Sequence, residues 1–252
     1  MSRAMVVMVC LMQFWCAASA NENTAVYVYG DAFPPFITEN QPHGIEGAAI
    51  DLLNQMIGGD LQAEFKVSIA PWKRTYENLK SEPNSIGLAV RRTPQRENQF
   101  YWIGPYYRGT VSLYGMKSTK ALIDAAVPWR DLPIGVKRGA SDYHWLREHS
   151  VPTTSLDESE SDLQNLKKLI LGRVQLVPML QAEADYYAKK LYLPEGELLP
   201  LVTLDCCAEV YIVLSANSNK MFVEKLRSRF EQVKQSSSYP SELLNDTSTC
   251  CQ

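Results

Sequence analysis

Residues 25–56 read AVYVYGDAFPPFITENQPHGIEGAAIDLLNQM. The first six (AVYVYG) crowd β-branched and aromatic residues into one short window, the composition of a strand. Asp31-Ala32-Phe33-Pro34-Pro35-Phe36 stops it, since paired prolines remove backbone donors and fix φ. Gly44 to Gly47 reads as a second turn. Residues 48–56 then space Ile50, Leu53 and Met56 at helical intervals. Further on, residues 64–69 read as a strand, 73–80 as a helix and 85–90 (SIGLAV) as a short apolar strand. The order β-α-β-α-β belongs to a mainly parallel sheet with helices on its faces.

The pattern repeats. Residues 110–116 and 133–136 read as strands, and 141–149 as a helix after Gly139. Residues 162–171 form an amphipathic helix ended by Gly172. A strand at 174–177, a helix at 181–191 and a strand at 210–214 follow. A last helix at 220–233 sets Phe222, Val223, Leu226, Phe230 and Val233 on one face. Residues 235–252 are polar, and such a tail frays unless something ties it down. No low-complexity linker or internal repeat interrupts the chain. Two α/β units without a flexible joint predict two lobes and a cleft between them.

The N-terminus has a different character. Arg3 precedes an apolar run over residues 4–15, broken only by Gln13, and Ala18-Ser19-Ala20 supplies a small-residue cleavage site. Residues 1–20 are therefore read as a cleaved signal peptide that sends the protein to the periplasm. The full chain has 25 basic and 28 acidic residues. Without Arg3 the balance is 24 against 28. No basic stripe is available for phosphates, so nucleic acid is not expected as a partner.

Six cysteines become four after cleavage: Cys206, Cys207, Cys250 and Cys251. An even number in an exported chain predicts disulfides. A link within a vicinal pair is strained, so one or two bridges between the 206/207 site and the 250/251 site are expected. Zinc is the rival reading, but adjacent cysteines fit its usual C-x(2–4)-C spacing poorly. No metal site is expected.

The chain also resembles a known family. Phe33-Pro34-Pro35-Phe36, Gly47 with Ile50-Asp51-Leu52, Thr93-Pro94-Gln95-Arg96 and Gly104-Pro105-Tyr106-Tyr107 occur in the order seen in family 3 extracellular solute-binding proteins. Gly135-Val136 with Gly139, and Leu169 with Gly172-Arg173-Val174, continue the likeness. The resemblance implies an α/β type II periplasmic-binding-protein fold, two lobes joined by a two-stranded hinge around a ligand cleft. It places the crossings near residues 107–109 and 204–208. Lobe 1 is then residues 21–108 plus 208–252, and lobe 2 residues 109–207.

By the same resemblance Arg96 holds a ligand carboxylate, a task suited to the planar fork of a guanidinium. Phe33 and Trp72 align with the aromatic positions that sandwich a ligand side chain. Asp31, beside Phe33, is a candidate acceptor for a ligand donor, or a residue that fixes the Pro-Pro turn. Ser141 opens a helix after Gly139 and is a candidate for binding an anion, for capping the helix, or for both. Arg74 and Arg91 add cations that favour an anionic ligand. The chain departs from the amino-acid binders of the family at Leu88, Ala89 and Arg91, where hydroxyls are common. It departs again at Leu180, where an acid for the ligand ammonium is common; Gln181 and Glu183 are the nearest polar candidates.

The expected function is capture of a small polar, carboxylate-bearing ligand, an amino acid or similar, for an ABC-type importer. The partners are that ligand and an inner-membrane ABC permease, with the protein a monomer and no cofactor. A ligand-sensing module for a membrane receptor is the alternative, and a dehydratase-like enzyme a more distant one. The sequence holds no G-x-S-x-G, H-E-x-x-H or Gly-rich phosphate loop. His144 and His149 read as surface residues. Asp157, Glu158, Glu160 and Asp162 read as a solvated helix entry.

Overall fold

The computed structural model describes residues 25–40, 44–57 and 64–243. The expected signal peptide lies outside these residues, as do Cys250, Cys251 and the side chain of Cys206. No helix among the described residues is long and apolar enough to cross a membrane.

The predicted strand–helix alternation is present. Strand β1 (Val26–Gly30) enters the core, and the hairpin β2 (Thr38–Asn40) and β3 (Gly44–Glu46) forms where the sequence suggested only turns. Helix α1 (Ala48–Ile57) buries Ile50, Leu52, Leu53 and Met56. Then come β4 (Phe65–Ile69), α2 (Trp72–Ser81) and β5 (Ile86–Arg91), with β1 parallel to both β4 and β5.

The main difference from expectation is β6, which runs from Phe100 to Met116, more than twice the predicted strand. Its partner β10 runs from Leu198 to Ser215. Pro105 hides β6 in the sequence, because proline lacks the N–H a paired strand needs. The register shows how it is accommodated. Tyr107 faces Val210 and Ile103 faces Ile212, so the stretch around Pro105 bulges out of the ladder. Gly104 supplies the turn with a φ of +129°, a conformation closed to most side chains.

The β6–β10 pair is antiparallel, so the sheet is mixed rather than mainly parallel. Its order is β4-β1-β5-β10-β6-β9, where β9 is Val177–Leu180, three residues later than predicted. A second parallel pair, β7 (Ile134–Lys137) and β8 (Leu156–Ser159), stands beside it. Helices α3 (Lys117–Asp124), α4 (Ser141–Glu148), α5 (Asp162–Ile170) and α6 (Gln181–Lys190) complete that side. The chain then returns along β10 to α7 (Lys220–Lys234), capped by the Asn219 side chain.

Apolar clusters form on both sides. Phe36, Leu53, Met56, Ile86, Leu226 and Phe230 meet around β1, β5, α1 and α7. Leu113, Ile134, Val136, Leu146 and Leu176 meet around β7 and α4. The described part of the C-terminal stretch, residues 235–243, is less loose than its polarity suggested. Tyr239 and Leu243 are buried against the first cluster, and the Tyr239 hydroxyl donates to the Tyr106 carbonyl at 3.1 Å.

Candidate ligand-binding site

A narrow crevice of about 50 Å³, partly open to solvent, lies where the two sides meet. The carboxyl ends of β1 and β7 deliver Asp31 and Lys137 to it, and α4, α5 and α6 deliver their first turns. Open α/β sheets commonly bind ligands at such strand ends. Of the residues singled out in the sequence, Asp31, Phe33, Trp72, Arg91, Arg96 and Ser141 line this crevice. Arg74 and Gln181 do not. Both are exposed, and neither belongs to the lining.

Arg96 sits in a short 3-10 turn, Pro94–Gln99, and retains only 6% exposure. Its guanidinium lies 4.7 Å from the centre of the Trp72 ring and 5.3 Å from that of Tyr76. One Nη donates to the Arg91 carbonyl at 3.2 Å. Among the described residues no carboxylate forms an ion pair with it. Burial, aided by the Arg91 charge, pushes its pKa down to about 10. It stays cationic at neutral pH, desolvated and without an anion.

Arg91 is differently placed. Its Nε donates to the Ser141 hydroxyl at 3.1 Å, and its Nη2 pairs with Asp142. That charge is spent within the protein. With Arg74 in solvent, neither of the two extra arginines argues for an anionic ligand. Ser141 is the first helical residue, Ala140 holds the N-cap position, and no side chain caps the helix. The serine oxygen instead receives Arg91.

Lys137 was not anticipated. Its ammonium lies 2.7 Å from Asp31, pairs also with Asp162, and stands 5.7 Å from the centre of the Phe33 ring. Burial opposes its charge, but the Asp162 and Asp31 carboxylates outweigh that and hold its pKa well above the usual lysine value. Burial pushes the Asp31 carboxyl up, against the pull of Lys137. Asp162 therefore does not belong to a solvated acidic run. Of that run, Asp157 pairs with Lys168 and Glu158 and Glu160 pair with Arg138 at the surface, while Asp162 turns inward as the first residue of α5. The available clue was a lysine at the end of a parallel strand, just before a glycine turn.

Glu183 lines the same crevice with 2% exposure, and its Oε1 has no hydrogen-bond partner. Burial first, then the neighbouring Asp162 charge, holds its carboxyl well above the usual range. It stands three positions after Leu180, the extended residue that leads into α6, and both line the crevice. Leu180 is indeed apolar lining, and the acid is one helical turn further on.

Direct contacts cross the crevice. Trp72 Nε1 donates to the Gly139 carbonyl at 2.9 Å, and Gln95 Nε2 donates to Glu148 at 3.0 Å. On the far side of the Arg91–Asp142 pair the gap continues as a second space bordered by Thr93, Gln95, His144 and Glu148. His144 and His149 are exposed. Among the described residues, no cluster of side chains suited to a metal ion occurs.

Solved structures share this architecture. A histidine kinase sensor domain similar to periplasmic binding proteins aligns with a TM-score of 0.74 at 14% identity, over 85% of this chain and 92% of that one. An amino acid ABC transporter substrate-binding protein from Streptococcus pneumoniae, bound to L-arginine, gives 0.72 at 17% identity, over 87% and 92%. An arginine-, lysine- and histidine-binding protein from Geobacillus stearothermophilus gives 0.71 at 20% identity, over 87% and 93%. At such identities the likeness shows the fold, that of type II periplasmic binding proteins. A comparison with curated protein sequences found no match. The sequence itself matches a family profile over residues 26–242, and the chain belongs to the bacterial extracellular solute-binding proteins, family 3.

Proposed function

We propose that the protein closes around a small zwitterionic solute of the amino-acid class in the periplasm and delivers it to an ABC-type importer. The family is one of binding proteins rather than enzymes. One observation carries the choice of ligand. Two buried ionisable groups of the crevice have no ion-pair partner among the described residues, the Arg96 cation and the Glu183 carboxyl, whose Oε1 also lacks a hydrogen bond. A carboxylate satisfies the first and an ammonium the second, and an α-amino acid brings both. Desolvated groups discriminate strongly, because an unmatched ligand leaves them unpaired.

In this reading residues 21–108 with 208–252 form one lobe and residues 109–207 the other. Strands β6 and β10 are the hinge, with Gly109 opposite Ala208 in their ladder. Export through a cleaved signal at residues 1–20, a monomeric state, and a disulfide between the Cys206/Cys207 and Cys250/Cys251 sites belong to the same proposal. Peptide mapping without reductant tests the last.

A thermal-shift screen of amino acids, dicarboxylates and short peptides, followed by calorimetry, tests the ligand class. An amino acid should stabilise the protein, Arg96→Ala should abolish the shift, and Glu183→Gln should reduce it. Binding of dicarboxylates alone would sink the reading, since Glu183 would then face an anion. The sensor-domain likeness supports a second use of the same cleft, presentation of the ligand to a membrane receptor. Co-purification of a permease or of a receptor kinase separates the two.

A further inference from the structure

We propose that Lys137 is a built-in occupant of a cation subsite within the cleft, and that it sets the protein against ligands with a basic side chain. The inference rests on the amino-acid reading above and specifies which amino acids fit.

A subsite for an alkylammonium or guanidinium needs carboxylates to neutralise it and an aromatic face to pack against. Asp31, Asp162 and Phe33 supply these parts. The two carboxylate side chains keep only 9% and 12% exposure, so they are sheltered from solvent screening. What fills the place is the chain's own lysine. Lys137 comes from β7, across the crevice from Asp31 and Phe33, with its ammonium 2.7 Å from Asp31 and 5.7 Å from the Phe33 ring centre. Its side chain is 11% exposed.

A ligand with a cationic side chain would have to put a second cation against that ammonium, or expel it from two buried acids. Like charges forced together at a desolvated interface are strongly discriminating. A ligand of the same shape without the charge meets no such penalty. The lysine also offsets the acids of the crevice. Without it Asp31, Asp162 and Glu183 would share one buried space with only Arg91 and Arg96 as cations lining it, and Arg91 already pairs with Asp142.

L-citrulline and L-arginine are nearly isosteric and differ in side-chain charge, so their affinity ratio isolates this effect. Calorimetry on the wild-type protein should favour citrulline by about 100-fold or more. Lys137→Ala should collapse or invert that ratio by gaining arginine. Because the substitution strands two carboxylates, Lys137→Ala/Asp162→Asn provides a variant with a single unpaired acid, and the same gain is expected there. Equal wild-type affinity for both ligands, or variants whose ratio does not move, would overturn the role of Lys137 while leaving the amino-acid reading intact. If the wild type binds another amino acid but neither isostere, arginine binding by either variant supports the proposal and its absence defeats it. If no amino acid binds any of the three folded proteins, the reading of the cleft fails, and this inference fails with it.

Discussion

The Trp72 indole donates to the Gly139 carbonyl at 2.9 Å across the cleft. An aromatic residue expected to wall the ligand or to sit in the core thus also joins the two sides directly. The bond recurs in kind at Arg91–Ser141 and Gln95–Glu148. A closed arrangement therefore has protein-to-protein contacts of its own, and a ligand adds to them.

Trp72→Phe keeps a ring over Arg96 and removes the indole donor. One such bond contributes about 1 kcal/mol, or roughly a fivefold change in the closed population. Ligand affinity should fall by about that factor, with the fold intact. Calorimetry gives the affinity, and small-angle scattering shows whether the free protein opens further.

Arg96 separates binding from stability. Its pKa is pushed down to about 10 because burial disfavours its charge. The sign follows: at neutral pH a depressed cation costs folding free energy, and the cost disappears only as pH rises past the unfolded arginine value. Arg96→Met should therefore lose carboxylate binding, by about 2–5 kcal/mol. The ligand-free protein should be as stable as wild type or more so, by up to roughly 1–3 kcal/mol. A large fall in melting temperature would contradict this account.

Glu183 makes binding pH-dependent. Burial and Asp162 hold its carboxyl well above the usual range, so the empty cleft retains a proton there to higher pH than an exposed carboxyl would. A ligand ammonium takes the place of that proton. Binding should release a proton, and affinity should rise with pH until the empty-cleft carboxyl titrates on its own. Calorimetry in buffers of different ionisation enthalpy measures the release. Glu183→Gln should abolish it and weaken binding by about tenfold or more.

The Tyr239 hydroxyl anchors the C-terminal stretch to the Tyr106 carbonyl of β6. Tyr239→Phe leaves that buried carbonyl one partner short and should cost about 1 kcal/mol in urea denaturation. Binding should be unaffected.

The alternation of apolar strands and amphipathic helices is local, and the sequence by itself determined it. The segments of β1, α1, α2, β5, α5 and α7 were all legible from periodicity and turn residues, because side-chain spacing within one element depends on nothing outside it. The order of short motifs carried the family in the same way. Strands β6 and β10 were only partly legible. Their length rests on pairing with each other, and the bulge that tolerates Pro105 exists only when Tyr107 meets Val210 and Ile103 meets Ile212. The cleft divided along the same line. Arg96, Trp72 and Phe33 were found from motifs, but their surroundings were not. Lys137, Asp142 and Asp162 lie on elements remote in sequence from the groups they meet, and Arg91 had its charge neutralised by a helix fifty residues away. Whether a charge is spent or waiting depends on burial and on partners brought by other elements, and only the tertiary structure decides that.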